Sequence, residues 1–408
     1  MPARKPKKPA ITVRMYNVGF GDAFLIEIPA EEGVRRVLVD CGTIGSPPSH
    51  ALKDVVGRII EDCTTDGEAC IDVVVATHRH RDHVQGFADP RWSAVAVSEV
   101  WMPWTENPRD PAAAEIRRVQ SGLAAALERS FASRAGLDAR SEAFGAIALN
   151  ALTNEAAMNT LHRGFTGKPK RSFLSSPDEG VQTITSEALP GVTLHVLGPS
   201  KDRDIIRDMN PPKGRSYLTQ ASSPDESERN DPFGDEWALE ADQYATGGWR
   251  FPLVSAEDIA LIRAQNMSTD LAVTVALDAA VNGTSLVLAL EFGEACLLLA
   301  GDAQWGTWHR VMNDQVAADI VKRATFFKVG HHGSHNATPK EFVEQLFPRE
   351  CCTMVSTRKM GNWDIPRPPL VEALKARTSL FAQSDRPQDA PSAFPVREKM
   401  MIEAKVPC

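Results

Sequence analysis

Four side chains that commonly bind metal ions fall within six residues, in the segment His78-Arg79-His80-Arg81-Asp82-His83. Residues 71–76, which end one residue before it, are mostly apolar and rich in valine, which predicts a buried strand. A strand that ends in such a loop holds imidazoles and a carboxylate in a fixed arrangement, and these donors suit zinc, with manganese or iron as alternatives. The chain has only ten histidines in 408 residues, so this density predicts a metal site.

The composition is that of a chain able to bury a large core. Its 408 residues, 43% of them hydrophobic, fit one big domain or two ordinary ones. The net charge of −8 argues against a protein held on nucleic acid by bulk electrostatics, although a nucleic-acid substrate met at a local metal site stays open. Seven cysteines without a C-x-x-C pair predict neither a disulfide framework nor a cysteine-rich zinc site. A soluble cytoplasmic protein with reduced thiols is expected.

Neither the basic residues near the N-terminus nor the apolar runs of the sequence indicate a targeting signal or a membrane helix. Residues 1–10 contain four basic side chains but are not followed by the apolar segment of a signal peptide, which predicts a disordered basic tail. No apolar run approaches the roughly 20 residues of a membrane helix, so no membrane association is expected.

Regular patterns occur in two stretches that are separated by an irregular one. Before residue 104, they predict three N-terminal strands, a helix over 51–62 and strands at 71–76 and 98–102. After residue 282, they predict a hairpin over 285–300, a helix over 305–322, a helix over 369–377, and strands at 324–329, 352–356, 380–383 and 400–406. We therefore expect one catalytic domain over 11–408, interrupted at about 104–270 by an insertion that is part helix and part loop. The insertion is either a substrate lid or an interaction surface for a protein partner.

Three more loops offer a metal-binding side chain directly after an apolar strand. Asp40 follows residues 37–39, Asp302 follows 297–301, and His331 follows 326–330. One acid at a strand end is an ordinary turn residue. Several such loops around the dense segment at 78–83 predict one edge of a sandwich at which loops converge on a dinuclear centre.

These residues resemble the motifs of the metallo-β-lactamase-fold hydrolases. The signature H-x-H-x-D-H corresponds to residues 78–83, with an upstream acid in Leu38-Val39-Asp40-Cys41-Gly42 and a downstream Gly301-Asp302. Segments 17–23, 282–288 and 328–334 resemble, more narrowly, the metallo-β-lactamase domain of the competence-type DNA-uptake proteins and their soluble relatives. The resemblance covers about 11–103 and 282–408. It implies an α/β protein, a four-layer αββα sandwich of two mixed sheets with helices outside.

The resemblance also implies a role for individual residues. The first two histidines of the segment would hold one divalent ion, its last two residues the other, Asp302 would bridge both and His331 would complete the second site. Asp40 would orient a ligand imidazole, and His332 would donate a proton to a leaving group or be a structural histidine. The implied ligands of the two metal ions, zinc or else manganese or iron, are therefore His78, His80, Asp82, His83, Asp302 and His331.

One position of the superfamily pattern has no clear counterpart. Many members place a further histidine between the central motif and the bridging aspartate, and the candidates here are His162 and His195. Each is better explained as a surface or core histidine, and the competence-type relatives often lack this ligand. Arg79 and Arg81 either meet a phosphate or pair with local acids, and Ser334 and Asn362 are weaker candidates for lining the pocket.

The function that these features favour is hydrolysis. We expect a metal-dependent hydrolase of phosphodiester bonds, in nucleic acid or a nucleotide, that uses a hydroxide held on the metal ions. One alternative is hydrolysis of a small ester or lactone in a pocket shaped by the insertion. Another is a non-catalytic module that keeps metal for stability and binds a partner through residues 104–270. The substrate class rests on the resemblance, because a fold alone does not define a function.

Overall fold

The computed structural model describes residues 9–132, 154–217, 280–360 and 365–408. Their strands form two sheets, of nine and seven strands. The first sheet contains β1 (Ala10–Tyr16), β2 (Ala23–Pro29), β3 (Val34–Cys41), β4 (Thr64–Thr65), β5 (Glu68–Val75), β6 (Ala96–Pro103), β7 (Lys170–Leu174), β15 (Val396–Arg397) and β16 (Met401–Pro407). The second contains β8 (Gln182–Ser186), β9 (Leu189–Gly198), β10 (Val287–Phe292), β11 (Ala295–Leu299), β12 (Phe326–Lys328), β13 (Cys352–Val355) and β14 (Phe381–Gln383).

Both sheets combine an antiparallel part with a parallel part. In the order β15-β16-β1-β2-β3-β5-β6-β7, the strands from β15 to β3 are antiparallel neighbours, and those from β3 to β7 are parallel. The second sheet has the order β14-β13-β12-β11-β10-β9-β8, parallel from β14 to β11 and antiparallel beyond. The predicted mixed sheets are confirmed.

Helices cover the outer face of each sheet. The α-helices of the described residues are α1 (Leu52–Asp62), α2 (Arg81–Val84), α3 (Pro111–Ala132), α4 (Glu155–Asn159), α5 (Arg203–Arg207), α6 (Trp305–Asn313), α7 (Gln315–Lys322) and α8 (Pro368–Lys375). The buried side of α1 packs on the first sheet, and those of α6, α7 and α8 pack on the second. In the part of the chain that the structure describes, no helix combines the length and apolar character needed to cross a bilayer.

The core between the sheets follows from the alternation of side chains along each strand. Val73 and Val75 of β5 point into a core shared by both sheets, whereas Val74 faces the helical side. In β12, Phe326 enters the shared core and Phe327 packs under the helices. Because both faces of these strands are buried, they appear in the sequence as continuous apolar runs. The layers follow the order helices, sheet, sheet, helices, and the predicted α/β class is confirmed.

Two predicted elements differ from the observed ones. The single helix expected over 305–322 is divided into α6 and α7, because Asp314 is extended and its carboxylate caps α7 by accepting from the amide of Ala317 at 3.0 Å. Within the predicted insertion at 104–270, β7 joins the first sheet, and β8 and β9 join the second. The segment 170–198 is thus part of the two sheets, while 133–153 and 218–279 lie outside the described residues. Of the predicted tail, residues 1–8 also lie outside them, and Ala10 already pairs with Pro407.

Candidate metal centre

The predicted strand-end loops meet at one edge of the two sheets. Asp40 lies near the end of β3, and residues 77–83, which we call the ligand loop, follow the neighbouring parallel strand β5. In the second sheet, Asp302 follows β11, and residues 330–333 follow its parallel neighbour β12. Parallel neighbours end on the same side of a sheet, so Asp40 lies beside the ligand loop and Asp302 lies beside residues 330–333. The two sheets pack together, and the two pairs of segments meet at their common edge.

Buried imidazoles and carboxylates form two overlapping groups at this edge, and within each group the candidate ligand atoms lie within 4.8 Å of one another. The first group consists of His78, His80 and Asp82, and the second of Asp82, His83, Asp302 and His332. Asp82 thus belongs to both. In the first group, His78 Nε2 lies 3.0 Å from His80 Nδ1. These donor types and this spacing fit small cations with ligands at about 2.0–2.2 Å.

The second group is held around two carboxylate oxygens. His83 Nε2 lies 3.1 Å from Asp302 Oδ2, and His332 Nε2 lies 3.2 Å from Asp82 Oδ2. The His332 Nδ1–H donates to the carbonyl oxygen of Ser356 at 2.9 Å. This bond fixes the ring so that Nε2 faces the carboxylates, as is usual for imidazoles that bind metals.

Two adjacent histidines, His331 and His332, lie differently with respect to the second group. The sequence predicts His331 as a ligand and His332 as a proton donor, but His332 is the one that lies in the second group. Residues 331 and 332 both have positive φ, 47° and 52°, so the chain turns sharply here and buries the second ring completely. His331 keeps 17% of its side chain exposed, and its Nε2 lies 3.9 Å from Asp302 Oδ2. It therefore lies beside the group, towards solvent.

Asp40 binds two residues of the ligand loop, as expected of a residue that orients a ligand imidazole. Its Oδ1 accepts from the Thr77 amide at 2.7 Å, and its Oδ2 accepts from the Thr77 hydroxyl at 2.7 Å. The same Oδ2 lies 2.8 Å from His83 Nδ1. The His83 ring is thereby held with Nε2 directed at Asp302.

Burial and nearby charges shift the pKa values of the imidazoles in opposite directions. Burial lowers the pKa of His78 far below its ordinary value, and it lowers that of His80 to about 4. Both rings are therefore neutral near pH 7 and able to offer a lone pair. Burial also disfavours a charged His83, but Asp302, Asp82 and Asp40 raise its pKa well above the ordinary value. The second group thus favours a positive charge, which either protons or metal ions can supply.

Two buried charged residues in this region were not predicted as site residues. The Lys328 ammonium contacts Asp22 Oδ2, donates to the Gly301 carbonyl oxygen at 3.1 Å and lies 3.7 Å from Asp302 Oδ1. Asp22 and Asp40 form a third cluster with His83, but Lys328 contacts Asp22 Oδ2 and Thr77 binds both oxygens of Asp40. We interpret this third cluster as support for the other two. In the sequence, Lys328 could have been identified as a buried charged residue because it lies inside the apolar run 326–329.

The weaker candidates lie apart from the two groups. His195 projects from β9 and lies 3.0 Å from Glu291 Oε2 and 3.1 Å from Thr183 Oγ1. His162 stacks on Phe173 at a centroid distance of 6.0 Å. Neither ring therefore supplies the further histidine ligand.

The remaining pocket candidates have local partners or fall outside the description. Arg79 lies 3.6 Å from Glu106 Oε1, and the Ser334 hydroxyl donates to Asn336 Oδ1 at 3.0 Å. Arg81 is half-buried at the start of α2. Asn362 lies outside the described residues.

Gly42 permits the close contact between β3 and the ligand loop. A Cβ atom there would lie 2.4 Å from the carbonyl oxygen of Arg81 and 2.5 Å from the carbonyl carbon of Asp82. Gly42→Ala is therefore expected to displace the loop, lowering the metal content and the free energy of unfolding, the latter by about 1–3 kcal/mol. Metal analysis and urea unfolding measure both. Gly122→Ala is the control, because a methyl group at that position would have no atom within 4 Å; equal behaviour of the two variants would contradict the prediction.

Comparison with known proteins gives one partial similarity. No family model matches the chain. ComE operon protein 3 of Bacillus subtilis (strain 168) is 31% identical over 110 residues, which cover 26% of this chain and 13% of that protein. The similarity thus concerns a small part of a much longer relative, and it does not establish membership of a family.

Proposed function

We propose that this chain is a metal-dependent hydrolase of the metallo-β-lactamase type that cleaves phosphodiester bonds. The observation that carries the proposal is the pair of ligand groups that share Asp82. Overlapping groups suit two cations a few ångströms apart, as in many enzymes that cleave phosphodiesters. The donors are imidazole nitrogens and carboxylate oxygens, which fit zinc and also manganese or iron.

The charge of the buried region supports a cationic occupant. Asp22, Asp40, Asp82 and Asp302 are all at most 3% exposed, and Lys328 supplies an ammonium group to two of them. Buried carboxylates are stable only when they are paired, protonated or bound to a metal. Divalent cations would neutralise the excess of negative charge that remains while the imidazoles are neutral.

The protein residues have distinct tasks in this proposal. His78, His80, Asp82, His83, Asp302 and His332 would hold the cations, which supply a Lewis acid and lower the pKa of a water molecule to about 7. Asp40 would hold the His83 ring, and Ser356 would hold that of His332. His331, which is partly exposed beside the second group, would contact the substrate. Two further predictions are kept. The substrate is nucleic acid or a nucleotide, and residues 104–270 bind a protein partner.

Metal analysis combined with turnover of three substrates tests the proposal. We expect the purified protein to contain zinc, manganese or iron and to hydrolyse bis(p-nitrophenyl) phosphate faster than p-nitrophenyl acetate or a simple lactone. Dialysis against a chelator should abolish the activity, and return of the metal should restore it. His80→Ala should be inactive, whereas His195→Ala, remote from the groups, should match the wild type.

Each other outcome favours a different function. Preference for the acetate or lactone would support the small-ester alternative. Bound metal without turnover of any substrate, together with a His80→Ala variant that changes only stability, would support the non-catalytic module and contradict the proposal.

A further inference from the structure

An amide oxygen lies beside the two imidazoles of the first group. Asn282 Oδ1 is 2.9 Å from His80 Nδ1, and that same nitrogen is 3.0 Å from His78 Nε2. Asn282 is 1% exposed. Two imidazole nitrogens, each of which offers a lone pair when it carries no hydrogen, and one amide oxygen therefore converge within the distances that separate the ligands of one small cation.

The neighbours of Asn282 determine which end of its amide faces the imidazoles. The other end, Nδ2, lies 3.5 Å from His331 Nε2, and an amide nitrogen offers hydrogens to such an acceptor. The oxygen consequently points to the first group. This assignment rests on the hydrogen-bond network, as amide orientations generally do.

The turn that carries Asn282 is fixed to the ligand loop. The Leu286 amide donates to the Thr77 carbonyl oxygen at 2.9 Å, one residue before His78. Within the turn, the Thr284 amide and hydroxyl both donate to the Val281 carbonyl oxygen, at 3.0 and 2.6 Å. The backbone of α5 lies against Gly283, where a Cβ would be 2.3 Å from the Ile206 carbonyl oxygen. Asn282 is thus placed rigidly beside the first group.

We propose that Asn282 Oδ1 is a ligand of the cation in the first group. It would take the place that neither His162 nor His195 fills, and the inference rests on the proposed metal-dependent function. Of the side chains in the first group, only the shared Asp82 is a carboxylate, whereas the second group contains both Asp82 and Asp302. The first group therefore binds its cation more weakly and fills after the second.

Titration of the chelator-treated protein tests this assignment, with Co²⁺ followed by visible absorption and with Zn²⁺ followed by metal content after dialysis. The wild type should bind one equivalent tightly and a second more weakly. Asn282→Ala should keep the tight equivalent and bind the weak one at least about tenfold less well. Asn282→Asp, of nearly the same shape, should bind the weak equivalent more tightly than the wild type. Thr284→Val removes the hydroxyl bond of the same turn and keeps the Asn282 amide, so it should lose less affinity for the weak equivalent than Asn282→Ala.

Several outcomes would overturn the assignment. Asn282→Ala that binds both equivalents with wild-type affinity would make Asn282 a hydrogen-bond partner only. If Asn282→Ala lost the same affinity at both equivalents, or if Thr284→Val lost as much as Asn282→Ala, Asn282 would have a structural role. Circular dichroism of each variant identifies misfolding. The two proposals fail separately. If all variants titrate as expected but the wild type does not cleave phosphodiesters, only the proposed hydrolase function is contradicted. If the wild type cleaves phosphodiesters but Asn282→Ala titrates like the wild type, only the assignment of Asn282 as a ligand is contradicted.

Discussion

Replacing Asp82 with asparagine is expected to abolish phosphodiester cleavage, because Asp82 belongs to both ligand groups. The substitution keeps the shape of the side chain and removes the negative charge that the two cations would share. It also changes the oxygen that lies 3.2 Å from His332 Nε2. We expect the metal content to fall at both groups and kcat/KM for bis(p-nitrophenyl) phosphate to fall by about 10³-fold or more, the upper range for loss of one electrostatic group.

The control for Asp82→Asn is Asp66→Asn in an exposed turn between β4 and β5. Asp66 has φ of 52°, a conformation that asparagine also tolerates, so this variant should retain wild-type activity and metal. Both proteins should be assayed for metal and turnover in the same preparation. An Asp82→Asn protein that keeps its metal and cleaves within about threefold of the wild type would contradict the proposed function, because the proposed site depends on the carboxylate that both groups share.

The sequence predicts the parts of the centre that depend on local order along the chain. Apolar runs ending at Asp40, at the ligand loop and at Asp302 define strands whose ends carry polar side chains. Their meeting at one edge follows from parallel pairing, which the structure contains between β3 and β5 and between β11 and β12. Strand ends and residue types are thus enough to locate the centre.

The sequence does not determine which of two adjacent imidazoles points inward. His331 and His332 both have left-handed backbone conformations, and such a turn depends on contacts with Ser356 and Asp302 from other segments. The sequence likewise does not predict the position of Asn282. Its amide lies beside His80 because the following strand, β10, pairs within the second sheet. Long-range contacts of this kind leave no periodic signal in the sequence.

The predicted insertion at 104–270 includes the sheet strands of 170–198 for a related reason. Strands β7 and β8 have five residues each and are mostly half-exposed at the ends of their sheets, so their patterns resemble those of polar loops. Only the pairing of β7 with β6 and of β8 with β9 defines them as sheet strands.

Lys328→Met is expected to give the largest loss of stability among single substitutions near the centre. The ammonium group is 1% exposed and contacts Asp22, with Asp302 Oδ1 at 3.7 Å. Burial alone would lower its pKa, but Asp22 and Asp302 raise it above the ordinary value, so lysine stays charged and both carboxylates stay paired. Removing one partner of a buried pair typically costs about 3–5 kcal/mol. Urea unfolding in the presence of a chelator measures this loss without the contribution of bound metal.

A second substitution distinguishes loss of pairing from loss of packing. In Lys328→Met/Asp22→Asn, the carboxylate that contacts the ammonium is also neutral, so we expect the double variant to be more stable than Lys328→Met alone. Lys322→Met is the control, because its ammonium is 45% exposed and pairs with Asp319 on the same helix, a type of pair that contributes at most about 1 kcal/mol. If Lys328→Met cost no more than this control, Lys328 would not be the counter-ion of the buried carboxylates. Metal ions or protons would then have to neutralise Asp22 as well, and the third cluster of Asp22, Asp40 and His83 would itself become a candidate cation site.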